Sequence, residues 1–88
     1  MYVVYLLECR DKSIYTGITT DLARRFREHK KGIGSRYTRS HGAVRILHSE
    51  KYPTRSATLK REAEIKRMPR KKKMELIWSF RARRGTLT

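Results

Sequence analysis

Apolar and polar positions divide the chain into six segments. The stretch 2–9, YVVYLLEC, begins with six consecutive apolar side chains. The run is short, with no polar alternation, which is the pattern of a strand covered on both faces. Arg10-Asp11-Lys12-Ser13 interrupts it with groups that bond local backbone in turns. IYTGI at 14–18 resumes β-type composition, so the two runs predict an antiparallel hairpin. Gly17 marks a bulge or a close backbone approach. Thr19-Thr20-Asp21 supplies N-cap chemistry for a helix over 22–31. Leu22 and Phe26 share one face of that helix, and Arg25 and His29 share a neighbouring one. Gly32 and Gly34 end it, and 32–43 is a basic connection with room for a helical turn around 36–39. VRIL at 44–47 starts a third strand that extends toward Tyr52, where Pro53 closes it. Thr54 caps a helix over 55–67, with Leu59, Ala63, Ile65 and Met68 expected inward. Pro69 breaks that helix. A last helix over 70–80 is expected to turn Met74, Ile77 and Trp78 inward, and 81–88 reads as a basic, flexible tail. The order β-β-α-β-α-α predicts an α+β domain over 1–80, a small three-stranded, largely antiparallel sheet flanked by helices.

Composition narrows the function more than the fold. Eighty-eight residues make one domain. The one cysteine, Cys9, lies in an apolar run and reads as a buried, reduced thiol. No cysteine–histidine spacing suits zinc. No apolar run reaches membrane-spanning length, and Met1 is followed directly by strand residues, so no secretory leader is expected and the cytoplasm is the default. The 23 Lys and Arg exceed the 8 Asp and Glu by 15. That excess repels itself in a small fold unless a polyanion neutralises it, and nucleic acid is the polyanion that fits. No basic amphipathic helix with a broad aromatic face argues for a lipid surface instead. The chain contains neither Asn nor Gln, the residues that read adenine bidentately, which favours recognition of structure over sequence. Lys30, Lys31, Arg36, Arg39, Lys66, Arg67, Arg70, Lys71, Lys72 and Lys73 are the candidate phosphate-tracking residues. Helical geometry spreads 70–73 around the axis, so not all of them face one substrate. Tyr37 either stacks on an unpaired base or packs.

Taken singly, the chemically capable residues have ordinary roles. Tyr5 and Tyr15 suit core aromatics with a hydroxyl at the edge. Arg25 suits a solvated cation, and His29 a surface or half-buried histidine. Glu62 suits a helix ion pair with Lys66, and Glu64 competes with it for any special role. Their order and spacing change the picture. Val3-Val4-Tyr5, then Tyr15-Thr16-Gly17 ten residues on from Tyr5, then Arg25 eight after Gly17 and His29 four after that, resemble the GIY-YIG nuclease domain. Thr58-Leu59-Lys60-Arg61-Glu62 resembles the helix that carries that family's glutamate. The YTGITTD stretch at 15–21 is similar to small stand-alone bacterial members. Valines stand where the first motif has Gly and Ile, Thr16 stands for Ile in the second, and the late asparagine of many relatives is missing.

The resemblance implies a metal-dependent endonuclease or nickase that hydrolyses DNA phosphodiester bonds. Glu62 would hold one Mg²⁺ or Mn²⁺, hard cations suited to carboxylate and phosphate oxygens. Arg25 would fork onto a phosphate oxygen. Tyr5, with its pKa lowered by the cation and by Arg25, would take the proton of the attacking water, and Tyr15 and His29 would orient that water or assist the transfer. DNA is expected ahead of RNA. The alternative is a non-catalytic basic module that binds nucleic acid within a larger DNA repair or RNA complex.

Overall fold

A computed structural model describes residues 1–85, with side chains described through Phe80. It contains β1 (Tyr2–Cys9), β2 (Ile14–Thr19), α1 (Leu22–Lys30), α2 (Arg36–His41), β3 (Ala43–Tyr52), α3 (Arg55–Arg67) and α4 (Arg70–Gly85). The three strands form one antiparallel sheet in the order β2-β1-β3. The unbroken apolar run explains why β1 is central: a strand paired on both edges and covered on both faces has no place for a solvated side chain. The expected hairpin forms, with Tyr5 opposite Gly17 and Leu7 opposite Tyr15. Its turn places Lys12 at φ 71, and Asp11 accepts from the backbone and hydroxyl of Ser13.

The side-chain period of two sorts β1 between two cores. Val4 and Leu6 meet Leu47, Ile65 and Ile77 on the face covered by α3 and α4. Tyr5 and Leu7 face the other way, toward Ala43, Tyr15, Leu22 and Phe26. Each of the first three helices has an N-cap. Asp21 accepts from the Arg24 amide at 3.1 Å, Ser35 from the Thr38 amide at 3.1 Å and Thr54 from the Ala57 amide at 3.1 Å.

Two helices keep part of the expected inward set: Ile65, Met68, Met74 and Ile77 pack into or against the core, whereas Leu59, Ala63 and Trp78 do not. In α3 the inward positions are Thr58 and Ile65, whereas Leu59 and Ala63 are exposed. Both sets have helical spacing, and polar anchoring decides between them. Thr58 donates to the Thr54 carbonyl at 2.6 Å, and Arg61 forks onto Glu50 of β3 at 2.8 and 3.0 Å. Glu50 also accepts from Tyr52 at 2.6 Å and lies 2.7 Å from His48 Nε2. These partners, Arg61 among them, outweigh its partial burial and hold the carboxyl well below the usual range. In α4, Ile77 takes the core position and Trp78, about 100° further round the helix, is 66% exposed. The helix also runs past the expected end at residue 80, to Gly85. Of the tail expected over 81–88, 81–85 is therefore helical backbone and 86–88 lies outside the described residues. Among the described residues no helix is long and apolar enough to cross a membrane.

Candidate active site

Tyr5 lies at the middle of the central strand, on the α1 side, and its ring is almost wholly buried. It fits there because residue 17, directly across on β2, has no side chain. A Cβ at Gly17 would lie 2.6 Å from the Tyr5 hydroxyl oxygen and 3.0 Å from Cε2 of Tyr15. The hydroxyl reaches His29 Nε2 at 2.8 Å. His29 stands one helical turn after Arg25 on α1, so the spacing of four brings both to the same pocket.

His29 is 1% exposed and bonded at both ring nitrogens. Nδ1 lies 2.7 Å from the Thr38 hydroxyl, which lies 2.9 Å from the Ser35 hydroxyl and 3.4 Å from the Ser35 carbonyl. A hydroxyl has one proton. With that of Thr38 directed to Ser35, Nδ1–H donates to Thr38 and Nε2 accepts from Tyr5, which assigns the tautomer from the hydrogen-bond pattern. Burial, reinforced by the Arg25 charge, pushes the His29 pKa down, so the ring is neutral and Nε2 is a free base toward the phenol. The same burial pushes the Tyr5 pKa up to about 12, although the nearby Arg25 guanidinium pulls it down. The phenol is therefore held protonated by the protein's own groups, because the buried ring loses more solvation than Arg25 restores.

Arg25 donates from Nη1 to Glu28 at 3.0 Å and from Nη2 to the Gly34 carbonyl at 2.7 Å. These bonds fix the plane of the fork at the edge of the pocket. The Tyr15 ring lies 6.3 Å from Tyr5 and 5.1 Å from His29, and Tyr37 lies 5.9 Å beyond Tyr15, stacked on His41 at 3.9 Å. An aromatic path thus leads from the buried phenol to a half-exposed tyrosine. Glu62 reaches the same group by its charge, which raises the Tyr5 pKa. Its side chain is 17% exposed and pairs with Lys66 at 3.3 Å. Glu64 is 57% exposed and is bound to Arg61.

The structure brings Tyr5, Tyr15, Arg25 and His29 together, and Glu62, on α3, acts on Tyr5 through its charge. The basic residues are spread more widely. Lys30, Lys31, Arg36 and Arg39 are exposed around α1 and α2, and Arg36 and Arg39 edge a depression of about 340 Å³ with Gly32, Ile33 and Ser35. Lys66, Arg67, Arg70, Lys71 and Lys72 are exposed on α3 and α4, while Lys73 is partly covered. Three participants had no counterpart in the sequence expectation: Ser35 and Thr38, which set the His29 tautomer, and the Gly34 carbonyl, which holds Arg25. The N-cap pattern of serine followed three residues later by a bonding side chain was the available signal. Among the described residues there is no cluster of three or more His, Cys, Asp or Glu side chains that would by itself cage a metal.

Comparison with known proteins agrees with this geometry. Residues 1–75 match the family model described as the GIY-YIG catalytic domain. A UPF0213 protein of Haloquadratum walsbyi is 52% identical over 75 residues, covering 85% of this chain and 84% of the relative. One from Cupriavidus necator is 55% identical over 67 residues, covering 76% and 73%. The solution NMR structure of the UPF0213 protein BH0048 from Bacillus halodurans superposes with a TM-score of 0.57 at 41% identity, covering 88% of this chain and 83% of that one. With a family match over most of its length and the motif residues gathered in one pocket, the chain belongs to the GIY-YIG family and has its nuclease-type fold.

Proposed function

We propose that the protein is a divalent-metal-dependent endonuclease or nickase that hydrolyses phosphodiester bonds in DNA and selects its substrate by structure rather than sequence. The observation that carries this is the hydrogen bond from a buried tyrosine to a neutral histidine, with an oriented arginine beside it and a glutamate whose charge reaches it.

Glu62 fits a hard cation. It is one carboxylate, partly open to solvent, and its bonded partner is a lysine ammonium that a divalent ion would displace. One carboxylate would leave the remaining positions of such an ion to phosphate oxygens and water, as Mg²⁺ and Mn²⁺ accept. Such an ion supplies charge neutralisation at the phosphate and acidifies bound water. The protein's own groups do the rest. Arg25 presents its fork to a nonbridging phosphate oxygen. Tyr5 receives the proton of the attacking water as it passes its own to Nε2 of His29, so no free phenolate is needed at a pKa of about 12. The P–O bond to the leaving strand breaks as the new one forms, and the leaving oxygen is protonated from solvent. Thr38 holds Nδ1–H and keeps Nε2 ready to accept. The lack of Asn and Gln and the wide spread of cations support recognition of backbone shape.

The test is incubation of the protein with duplex, single-stranded, flap, junction and nicked DNA in Mg²⁺ or Mn²⁺, with chelator controls. Cation-dependent cleavage of at least one structure is expected. Salt-sensitive binding without cleavage of any of them would establish the binding module instead, a reading favoured by one observation: in the free protein Lys66 already neutralises Glu62.

The proton route predicts a pH dependence. His29 has a lowered pKa in the fold, so its neutral acceptor form is present above that value and is lost as pH falls through it. The acid limb of the rate profile is expected below the free histidine value of about 6.5. Thr38→Val removes the acceptor for Nδ1–H and is expected to lower the rate about tenfold and displace that limb, with the His29 titration followed by NMR. An unchanged limb in Thr38→Val would rule out its control of the tautomer.

A further inference from the structure

Trp78 is the only tryptophan in the chain, and α4 turns it away from the core to 66% exposure. Together with Met74, Arg70, Lys71 and Glu75 it lines a groove of about 540 Å³. Arg70, Met74 and Trp78 follow at intervals of four, so they form one strip along the helix with Lys71 beside it. Trp78 makes no ring contact and Lys71 no ion pair among the described residues. Arg70 is steadied by a hydrogen bond to the Lys12 carbonyl at 3.2 Å.

We propose that this strip is a binding site for an unpaired nucleobase, which stacks on the Trp78 indole while Arg70 and Lys71 take the phosphates on either side. The apolar floor of Trp78 and Met74 suits the face of a base, and every base has such a face. Charge decides the occupant. A second copy docked symmetrically would bring two chains of net charge +15 together, with Arg70 and Lys71 at the joint, and like charges oppose that. A polynucleotide relieves the same repulsion. The strip lies on α4, which packs against β3 on the sheet face opposite the Tyr5 pocket. It is therefore a second contact, one that recognises single-stranded segments of a substrate. The proposal deepens the nuclease reading by naming the substrate feature, and rests on it only for the choice of nucleic acid as partner.

Because Trp78 is the sole indole, its fluorescence reports on this site alone. The full chain in chelator is titrated with a mixed-sequence single strand and with the matching blunt duplex. Indole emission and the anisotropy of labelled DNA are read in parallel. The single strand is expected to quench the indole at the concentrations at which it binds, and the duplex to bind with little quenching. Trp78→Leu is expected to weaken single-strand binding about 5- to 100-fold and duplex binding less than twofold, with Trp78→Phe largely restoring it. Lys71→Ala is expected to make the salt dependence of single-strand binding shallower by about one ion. Binding without quenching, equal quenching by duplex, or unchanged single-strand affinity in Trp78→Leu would overturn the site. Quenching that follows protein concentration without DNA would overturn it too and identify self-association. Cleavage assays on Glu62→Ala separate this outcome from the nuclease reading. Quenching with no Glu62-dependent cleavage sustains the base site and removes the nuclease, and the reverse result removes only the base site.

Discussion

Glu62→Ala is expected to reduce cation-dependent DNA cleavage by at least about 10²–10³-fold, the scale of losing a principal stabiliser of transition-state charge. DNA affinity and stability are expected to stay near wild type. The case for separating activity from stability is structural. Glu62 makes one ion pair, with a lysine whose side chain is 56% exposed, and exposed pairs of this spacing contribute only about 0.3–0.5 kcal/mol. Glu64 provides the control. It sits two residues away, 57% exposed and bound to Arg61, so Glu64→Ala should cleave like wild type. Purified variants compared on the best substrate, with unfolding curves for each, make the measurement. Full cleavage by Glu62→Ala, or equal losses in both variants, would remove Glu62 from its assigned role.

Gly17→Ala is expected to destabilise the fold by about 1–3 kcal/mol, the usual range for an added group in a filled core, and to abolish the Tyr5–His29 hydrogen bond. A methyl group there would stand 2.6 Å from the Tyr5 oxygen and 2.7 Å from Cζ. The Tyr5 ring is enclosed and cannot swing into solvent, so it moves away from His29 or the two strands separate. Tyr5→Phe alone removes one hydrogen bond, worth about 0.5–1.5 kcal/mol, and relieves the closest of these contacts. The double variant should therefore be less destabilised than the sum of the singles, a coupling that denaturant unfolding of all four proteins measures. Wild-type stability in Gly17→Ala, or strict additivity, would contradict the close fit.

Much of this architecture was legible in the residues, for identifiable reasons. Six consecutive apolar side chains at the start of β1 admit few environments other than a central strand. Asp21 and Thr54 cap helices where short polar side chains precede helix formers, and Pro69 can only separate α3 from α4. The spacing of Tyr5, Tyr15, Arg25 and His29 survives intact because each interval fits one local geometry, a hairpin or a helical turn. The phase of α3 and α4 was legible only in part, at Ile65, Met68, Met74 and Ile77. Leu59 and Ala63 are as plausible inward residues as Thr58 until Arg61 finds Glu50, a partner eleven residues away on another element. The same holds for Trp78, since hydrophobicity alone cannot tell a core tryptophan from a displayed one. The neutral state of Tyr5 was equally hidden, because it depends on how deeply the neighbours bury the ring. The Ser35–Thr38–His29 chain was missed because two hydroxyls in a basic connection carry no periodic signal.

The place of β1 at the middle of the sheet also orders the birth of the pocket in time. β1 meets β2 across a short turn, so the two tyrosines can be aligned while the chain is still being made. β3 closes on the other edge only after α1 and α2 have been laid down, and α3 follows it, tied to β3 through Arg61 and Glu50. A nascent chain that has reached Tyr52 has its phenols, arginine and histidine but not Glu62. α3 completes the proposed set, so under the nuclease proposal a chain that stops at Tyr52 lacks the carboxylate that would hold a cation.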